Sequence, residues 1–324
     1  MNGDAIWRPL YPFASNYLDR AGLRYHYLDE YTGPGDRRDA PAVVMVHGNP
    51  TWSFYFREIV KALRPTHRCI VPDHIGCGLS DKPPQSRYDY RLKSRIDDLE
   101  TLLDHLQLER DVTMLVHDWG GMIGMGAALR RPDRISRLII TNTAAFLPSD
   151  GFELPWMLKL LHRDTAFAKW AVQGLNLFAR GAAWTASSRG LPNDVNYGLT
   201  APYNTFENRL ATRLFVQDIP LSPEHPSYAT AKWIDENLHH LADRPTLIMW
   251  GLQDYVFDAR FLDEWRKRFP LADVHAWEDA GHYLNDDARD RVVELVLLHL
   301  NKVTRISSLR FEHSQIPFSP TPQE

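Results

Sequence analysis

The sequence predicts an α/β protein: a mostly parallel central sheet with helices on both faces and a helical cap inserted into it. Three observations carry that expectation. Short apolar runs at 42–46, 112–116, 138–141 and 246–250 have the length and content of strands covered on both faces. Between them lie stretches at helical spacing, such as Ile96, Leu99, Leu102, Leu103 and Leu106. The alternation lapses from about Phe146 to Ala229, where aromatic residues are scattered among short stretches broken by Gly and Pro, and then resumes.

Taken in order, residues 17–19 and 23–28 alternate around Arg20-Ala21-Gly22 and read as an antiparallel ribbon. Thr32 to Asp39 is a polar loop. The buried run at 42–46 ends at His47-Gly48-Asn49-Pro50, and a helix is expected over about 53–63. A strand at 69–71 leads into the run from Pro72 to Pro83, where Gly76 and Gly78 suit a tight turn and Asp81 a local cap. His74 and Cys77 have no evident role there.

The helix through Leu106 leads to the strand ending at Val116, and beyond Asp118 a helix should run to about Arg131, before Pro132. After the strand at 138–141 come Asn142, Thr143 and Ala144, with no carboxylate before Asp150. Past the inserted segment, a helix at 231–241 precedes the strand at 246–250 and Gly251-Leu252-Gln253-Asp254. A helix at 259–269, a strand at 274–277, Ala280-Gly281-His282 and a helix at 289–300 close the core.

The expected division is core 1–145, helical cap 146–229, core 230–301 and a tail, 302–324, that is weakly ordered or docked as an arm. There are no internal repeats and no phosphate-cradling glycine loop.

With 324 residues and 44% hydrophobic content, the chain can bury a large core. A net charge of −4 and the lack of any Lys/Arg block exclude a nucleic-acid footprint. Cys69 and Cys77 are too few for a disulfide framework and sit in neither C-x-x-C nor a zinc spacing, which suits a reducing cytoplasm and predicts no metal. Residues 1–20 lack the pattern of a signal peptide, and no segment is apolar for long enough to span a bilayer. The expectation is a soluble protein without a cofactor, acting on a hydrophobic small molecule that it can fetch from a membrane.

The chemistry concentrates at Val116-His117-Asp118-Trp119-Gly120-Gly121, a buried strand, a sharp turn and a helix with Asp118 at the bend. Asp118 read alone is as well explained as a helix cap. Its partners shift the balance. Asp118, Asp254 and His282 each follow an expected strand, which puts all three on the carboxyl edge of a parallel sheet. A carboxylate there can displace a leaving group at saturated carbon or open a strained ring, forming an ester. His282 would take a proton from water and Asp254 would fix its tautomer.

Asn49 and Trp119 form a second constellation. Backbone N–H groups after the two strands can form an oxyanion hole, and the Asn49 amide and Trp119 indole are neutral donors for an anion leaving into an apolar pocket. A turn-supporting Asn49 and a packing Trp119 are the plainer account of either residue alone. The pocket wall is expected to draw on Trp52, Trp156, Trp170, Tyr203 and Phe206.

These residues carry a resemblance. The elbow, which in α/β-hydrolases usually presents serine in G-x-S-x-G, here presents Asp118, and no G-x-S-x-G occurs in the chain. With His47-Gly48-Asn49-Pro50-Thr51, the Pro72 to Pro83 run, His117-Asp118-Trp119-Gly120 and Gly281-His282, the core from about Leu18 to Leu300 resembles the haloalkane dehalogenase branch of that fold. Asn49, Trp119 and an acid at Asp254 resemble its third subfamily. The fuller wording of 47–54 with Trp52, of 73–78 and of 120–124 is closer still to the β-lactone decarboxylases of bacterial long-chain olefin synthesis. That resemblance implies the α/β-hydrolase fold, a cis-3,4-dialkyl oxetan-2-one substrate, a cis alkene and carbon dioxide as products, and room for assembly with other enzymes of that pathway.

A haloalkane dehalogenase is the alternative, since the core serves either reaction and cap shape decides between two long alkyl tails and one small halide. An epoxide hydrolase shares the Asp-Trp pair but wants two cap tyrosines over the epoxide oxygen, for which Tyr197 and Tyr203 are loose candidates. A hydrolase-like binding protein without activity is the reading from outside enzymology, and the intact triad and donor positions argue against it.

Overall fold

Eight strands form one sheet in the order β1-β2-β4-β3-β5-β6-β7-β8. They are β1 (Asn16–Asp19), β2 (Arg24–Glu30), β3 (Ala42–Val46), β4 (Arg68–Pro72), β5 (Val112–Asp118), β6 (Ile135–Thr143), β7 (Thr246–Gly251) and β8 (Asp273–Trp277). The computed structural model describes residues 4–148 and 152–302. β1 pairs antiparallel with β2, and β2 with β4, whereas every pair from β4 to β8 is parallel.

The continuous apolar runs have a physical cause: β3, β4, β5 and β7 are buried along their whole length. Alternate residues of β3 serve opposite layers. Val44 and Val46 join Ile96, Leu99, Ile123, Ile234 and Leu262, which come from the helices Leu92–His105, Gly120–Arg130, Tyr228–Asn237 and Ala259–Arg268. Val43 and Met45 join Ile59, Val60, Val292 and Val296 from Arg57–Leu63 and Arg289–Asn301 on the other face. Each fully buried aliphatic side chain of this kind stabilises the fold by about 1.5–3 kcal/mol.

Element boundaries depart from the sequence reading where polar residues interrupt the pattern. The helix expected over 53–63 opens as a 3-10 turn, Ser53–Phe56, before its α-helical part. β6 begins at Ile135, three residues before its apolar stretch, because Ser136 and Arg137 are only half-buried and break the run. The helix before β5 starts at Leu92, four residues ahead of Ile96 and buried in the same core.

Between β6 and β7 the described residues form helices only, among them Trp156–His162, Leu177–Thr185, Asn193–Thr200 and Leu210–Gln217. Three hydrogen bonds fasten this segment to the loop after β3. Asn49 Nδ2 donates to the Thr212 carbonyl at 3.1 Å, Tyr203 Oη to the Thr51 carbonyl at 3.1 Å, and Trp52 Nε1 to the Gly198 carbonyl at 2.9 Å. Among the described residues no helix is long and apolar enough to cross a membrane. Apart from Lys302, whose Nζ lies 2.8 Å from Asp273, the tail lies outside the described residues.

Candidate active site

Asp118 closes β5 at φ +53°, a left-handed conformation that is costly for a residue with a side chain. The neighbourhood imposes it. A Cβ on Gly120 would land on the Val46 carbonyl, so the following helix can start hard against the end of β3 only with glycine there. Gly48 is bare for the same reason, because a Cβ would collide with the Asp118 carboxylate itself. Thr143 Oγ1 donates to the Asp118 carbonyl and holds the bend from the β6 side.

The carboxylate is buried and oriented. Its Oδ1 accepts the Asn49 backbone N–H at 2.6 Å, and the Trp119 backbone N–H also supports the anion. Burial raises the Asp118 pKa above the usual carboxylate value, against the opposing pull of His282 and those two N–H groups. Strain, desolvation and two amide donors therefore converge on one carboxyl group.

His282 follows β8 and places Nε2 3.7 Å from Asp118 Oδ2, while its Nδ1 lies 2.7 Å from Asp254 Oδ2. Asp254 is itself held, its Oδ1 accepting from the N–H groups of Val256 at 2.7 Å and Phe257 at 3.0 Å. Burial disfavours the imidazolium, but Asp254 and then Asp118 outweigh it, and the His282 pKa ends above its ordinary value. The main chain of His282 is fixed too. His117 Nε2 donates to its carbonyl at 2.9 Å, and burial followed by the His282 charge holds His117 neutral, its pKa well below the usual value.

Over this floor lies a cavity of about 770 Å³. Asn49, Asp118, Trp119 and His282 face it from below, and its walls are apolar, with Phe146, Phe152, Leu161, Phe178, Phe257 and Phe261 among them. Among the described residues no cluster of His, Cys, Asp or Glu is arranged to hold a metal ion.

The structure brings together Asp118, His282, Asp254, Asn49 and Trp119 as the sequence predicts. The Asn49 side chain is half committed: one Nδ2 hydrogen serves the Thr212 carbonyl, leaving one for a ligand. Of the expected pocket wall only Trp156 lines the cavity. Trp52 is fully buried beneath the cap, stacked on Phe54 and bonded to Gly198. Tyr203 is buried with its hydroxyl spent on Thr51. Trp170 and Phe206 are exposed on the outside of the cap. Aromatic content does not say which face of a short helix turns inward, and four of the five expected wall residues turn elsewhere. Tyr197 is likewise exposed, so neither of the two cap tyrosines needed over an epoxide oxygen lines the cavity.

Sequence reasoning missed Asn142. Its Nδ2 donates to Asp254 Oδ2 at 3.0 Å and to the Gly251 carbonyl at 3.0 Å, and its Oδ1 accepts from Gly251 N–H at 2.8 Å. The signal was its place: it follows the apolar stretch of β6 directly, at the edge where the triad gathers.

Comparison with known proteins bears on this arrangement. A family model described as alpha/beta hydrolase fold matches residues 41–288. The cis-3-alkyl-4-alkyloxetan-2-one decarboxylase of Shewanella oneidensis is 50% identical over 285 residues, covering 88% of this chain and 87% of that protein. The decarboxylase of the same name from Xanthomonas campestris pv. campestris is 43% identical, covering 91% of this chain and 98% of its own length. Haloalkane dehalogenase 2 of Mycobacterium bovis is 30% identical, covering 89% and 95%. In fold, the chain is similar to a haloalkane dehalogenase from Agrobacterium tumefaciens C58, with TM-score 0.77 and 22% identity over 89% of this chain and 96% of that one.

Proposed function

Because the chain belongs to the α/β-hydrolase family, and its nucleophile position holds a carboxylate, we propose that it is a β-lactone decarboxylase that converts a cis-3-alkyl-4-alkyloxetan-2-one to a cis alkene and carbon dioxide. The observation that carries the reading is the Asp118 carboxylate, held by the Asn49 N–H at 2.6 Å beneath an apolar cavity of about 770 Å³. The relatives at 50% and 43% identity that carry the decarboxylase name support this substrate over the halide of the relative at 30%.

The steps follow from the geometry. Asp118 Oδ2 attacks the ring carbon bearing oxygen, the C–O ring bond breaks, and a carboxylate is released opposite the new ester bond. The remaining amide hydrogen of Asn49 and the indole N–H of Trp119 receive that charge as it develops. The bond to the carboxylate carbon then breaks, its electron pair forms the double bond, and Asp118 leaves as a carboxylate. Inversion in the first step sets the two leaving groups anti to one another while both alkyl groups stay on one side, so a cis lactone gives a cis alkene.

No water is consumed in this sequence. His282, whose proton Asp254 helps to hold, offsets in its protonated form the charge of Asp118 as it is expelled. In the hydrolytic alternative the same imidazole must be neutral and take a proton from water. We place the protein in the cytoplasm, with both cysteines free and buried, and include assembly with enzymes acting on the same alkyl chains in the proposal.

A paired assay tests the reading. Purified protein should turn a cis-β-lactone into alkene much faster than it releases halide from a short chloroalkane. The reverse ranking assigns it to the dehalogenases.

A further inference from the structure

We propose that the rim of the cavity is a docking surface for an anionic lipid bilayer, across which a long-chain apolar molecule exchanges directly with the cavity. Trp156, Met157, Leu160, Phe167 and Leu177 all line the cavity, and all are exposed, Trp156 to 75%. Along these side chains the apolar interior continues onto the outside of the cap. Trp184, 78% exposed, follows Leu177 by seven residues on the helix Leu177–Thr185 and falls within about 20° of it around the axis. Trp170, 54% exposed, stands beside Phe167 with ring centroids 6.2 Å apart. Large apolar patches of this kind mark interaction sites.

Charge selects the occupant. Residues 156–185 carry Lys159, Arg163, Lys169 and Arg180 against a single acid, Asp164, in a chain whose net charge is −4. Asp164 is already bound by Arg213 at 2.7 Å. Lys159 reaches only the exposed Glu153, at 3.5 Å, and Arg163, Lys169 and Arg180 form no ion pair among the described residues. Exposed tryptophans flanked by unpaired cations match a surface that sits at the headgroup level of an anionic membrane. An apolar cargo that leaves the bilayer there need not cross water.

The lipid binding does not rest on the reaction assigned above, since it is measured without substrate. The experiment is co-flotation of the full chain with vesicles of phosphatidylglycerol or of phosphatidylcholine. Binding to phosphatidylglycerol should exceed that to phosphatidylcholine by roughly ten-fold or more, and high salt should release it. The double variants Trp170→Ala/Trp184→Ala and Lys169→Glu/Arg180→Glu should each lose most of the binding. Both should keep the circular dichroism of the parent and its turnover of a short-chain cis-β-lactone in solution, since none of the four residues lines the cavity.

Equal or absent binding to the two lipids overturns the proposal, as do variants that bind like the parent. Loss of solution turnover in the variants would put these residues in the site itself. A parent oligomer that the variants dissolve, seen by light scattering, would give the face to a second copy of the chain.

Discussion

Asn142 and His282 share one oxygen: Asp254 Oδ2 accepts from Asn142 Nδ2 at 3.0 Å and from His282 Nδ1 at 2.7 Å. The amide stands at the end of β6 and the acid just past β7, so two neighbouring parallel strands together aim one carboxylate at the imidazole. Asn142→Ala would strip a donor from that oxygen and leave the N–H of Gly251 without its Asn142 partner, while the Gly251 carbonyl would keep only the Asp254 N–H at 3.3 Å. The expected cost is about 1–3 kcal/mol of stability together with a fall in kcat of roughly ten-fold at little change in KM. Thermal melts and steady-state kinetics on the same preparation check both.

Removing the nucleophile is a sharper test. Asp118→Ala should abolish turnover while leaving the fold intact, because the bend is held through backbone, by Gly120 against the Val46 carbonyl and by Thr143 Oγ1 on the carbonyl of residue 118. The change also relieves a desolvated carboxylate, so the melting temperature should hold or rise. Equal turnover in parent and variant would refute the assignment.

The pH profile separates the two chemistries. Asp118 must be ionised to attack, and burial raises its pKa, so activity should fail on acidification at a pH above the ordinary carboxylate range of about 4. His282 is raised as well, by Asp254 and then Asp118 against its own burial, which extends the pH range over which it carries its proton. If the imidazolium supports the departing Asp118, kcat persists at neutral pH and declines as pH climbs through that raised value. A kcat that instead increases over the same interval marks the neutral imidazole as a base and the reaction as hydrolysis.

Asp73 offers a prediction about stability. It is fully buried, pairs with His26 Nδ1 at 2.8 Å and accepts from Ser53 N–H at 2.7 Å and Leu79 N–H at 2.8 Å. Burial alone would raise its pKa, but the adjoining His26 imidazole and the backbone donors hold it down to about 2. A carboxylate depressed on folding adds stability above its unfolded pKa and loses it as pH drops through the folded value. The contribution is on the order of 2–3 kcal/mol, fading between roughly pH 5 and 2. Asp73→Asn should cost about 3 kcal/mol at pH 7, and urea titrations should bring parent and variant closer together as the medium is acidified.

The sheet and the triad were legible because both write periodic or positional marks into the chain. β3 matches its apolar run residue for residue, and Asp118, Asp254 and His282 each stand where a parallel strand stops. The cap wall was not legible. Trp52 and Trp156 are the same residue type, yet one is buried under Gly198 and the other is exposed at the cavity, since tertiary packing rather than local pattern decides which ring a short helix conceals. Asn142 escaped notice because its carboxamide acts through Asp254 and Gly251, contacts 112 and 109 positions away in the chain.

The bonds from Asn49, Thr51 and Trp52 to Thr212, Tyr203 and Gly198 make roof and floor one mechanical unit. A roof borrowed from another member of the family would therefore not be a neutral change of chamber. It would drag the amide that orients the attacking carboxylate, so a chimera built to accept a new substrate must inherit residues 49–52 with its donor's roof, or trade reactivity for fit.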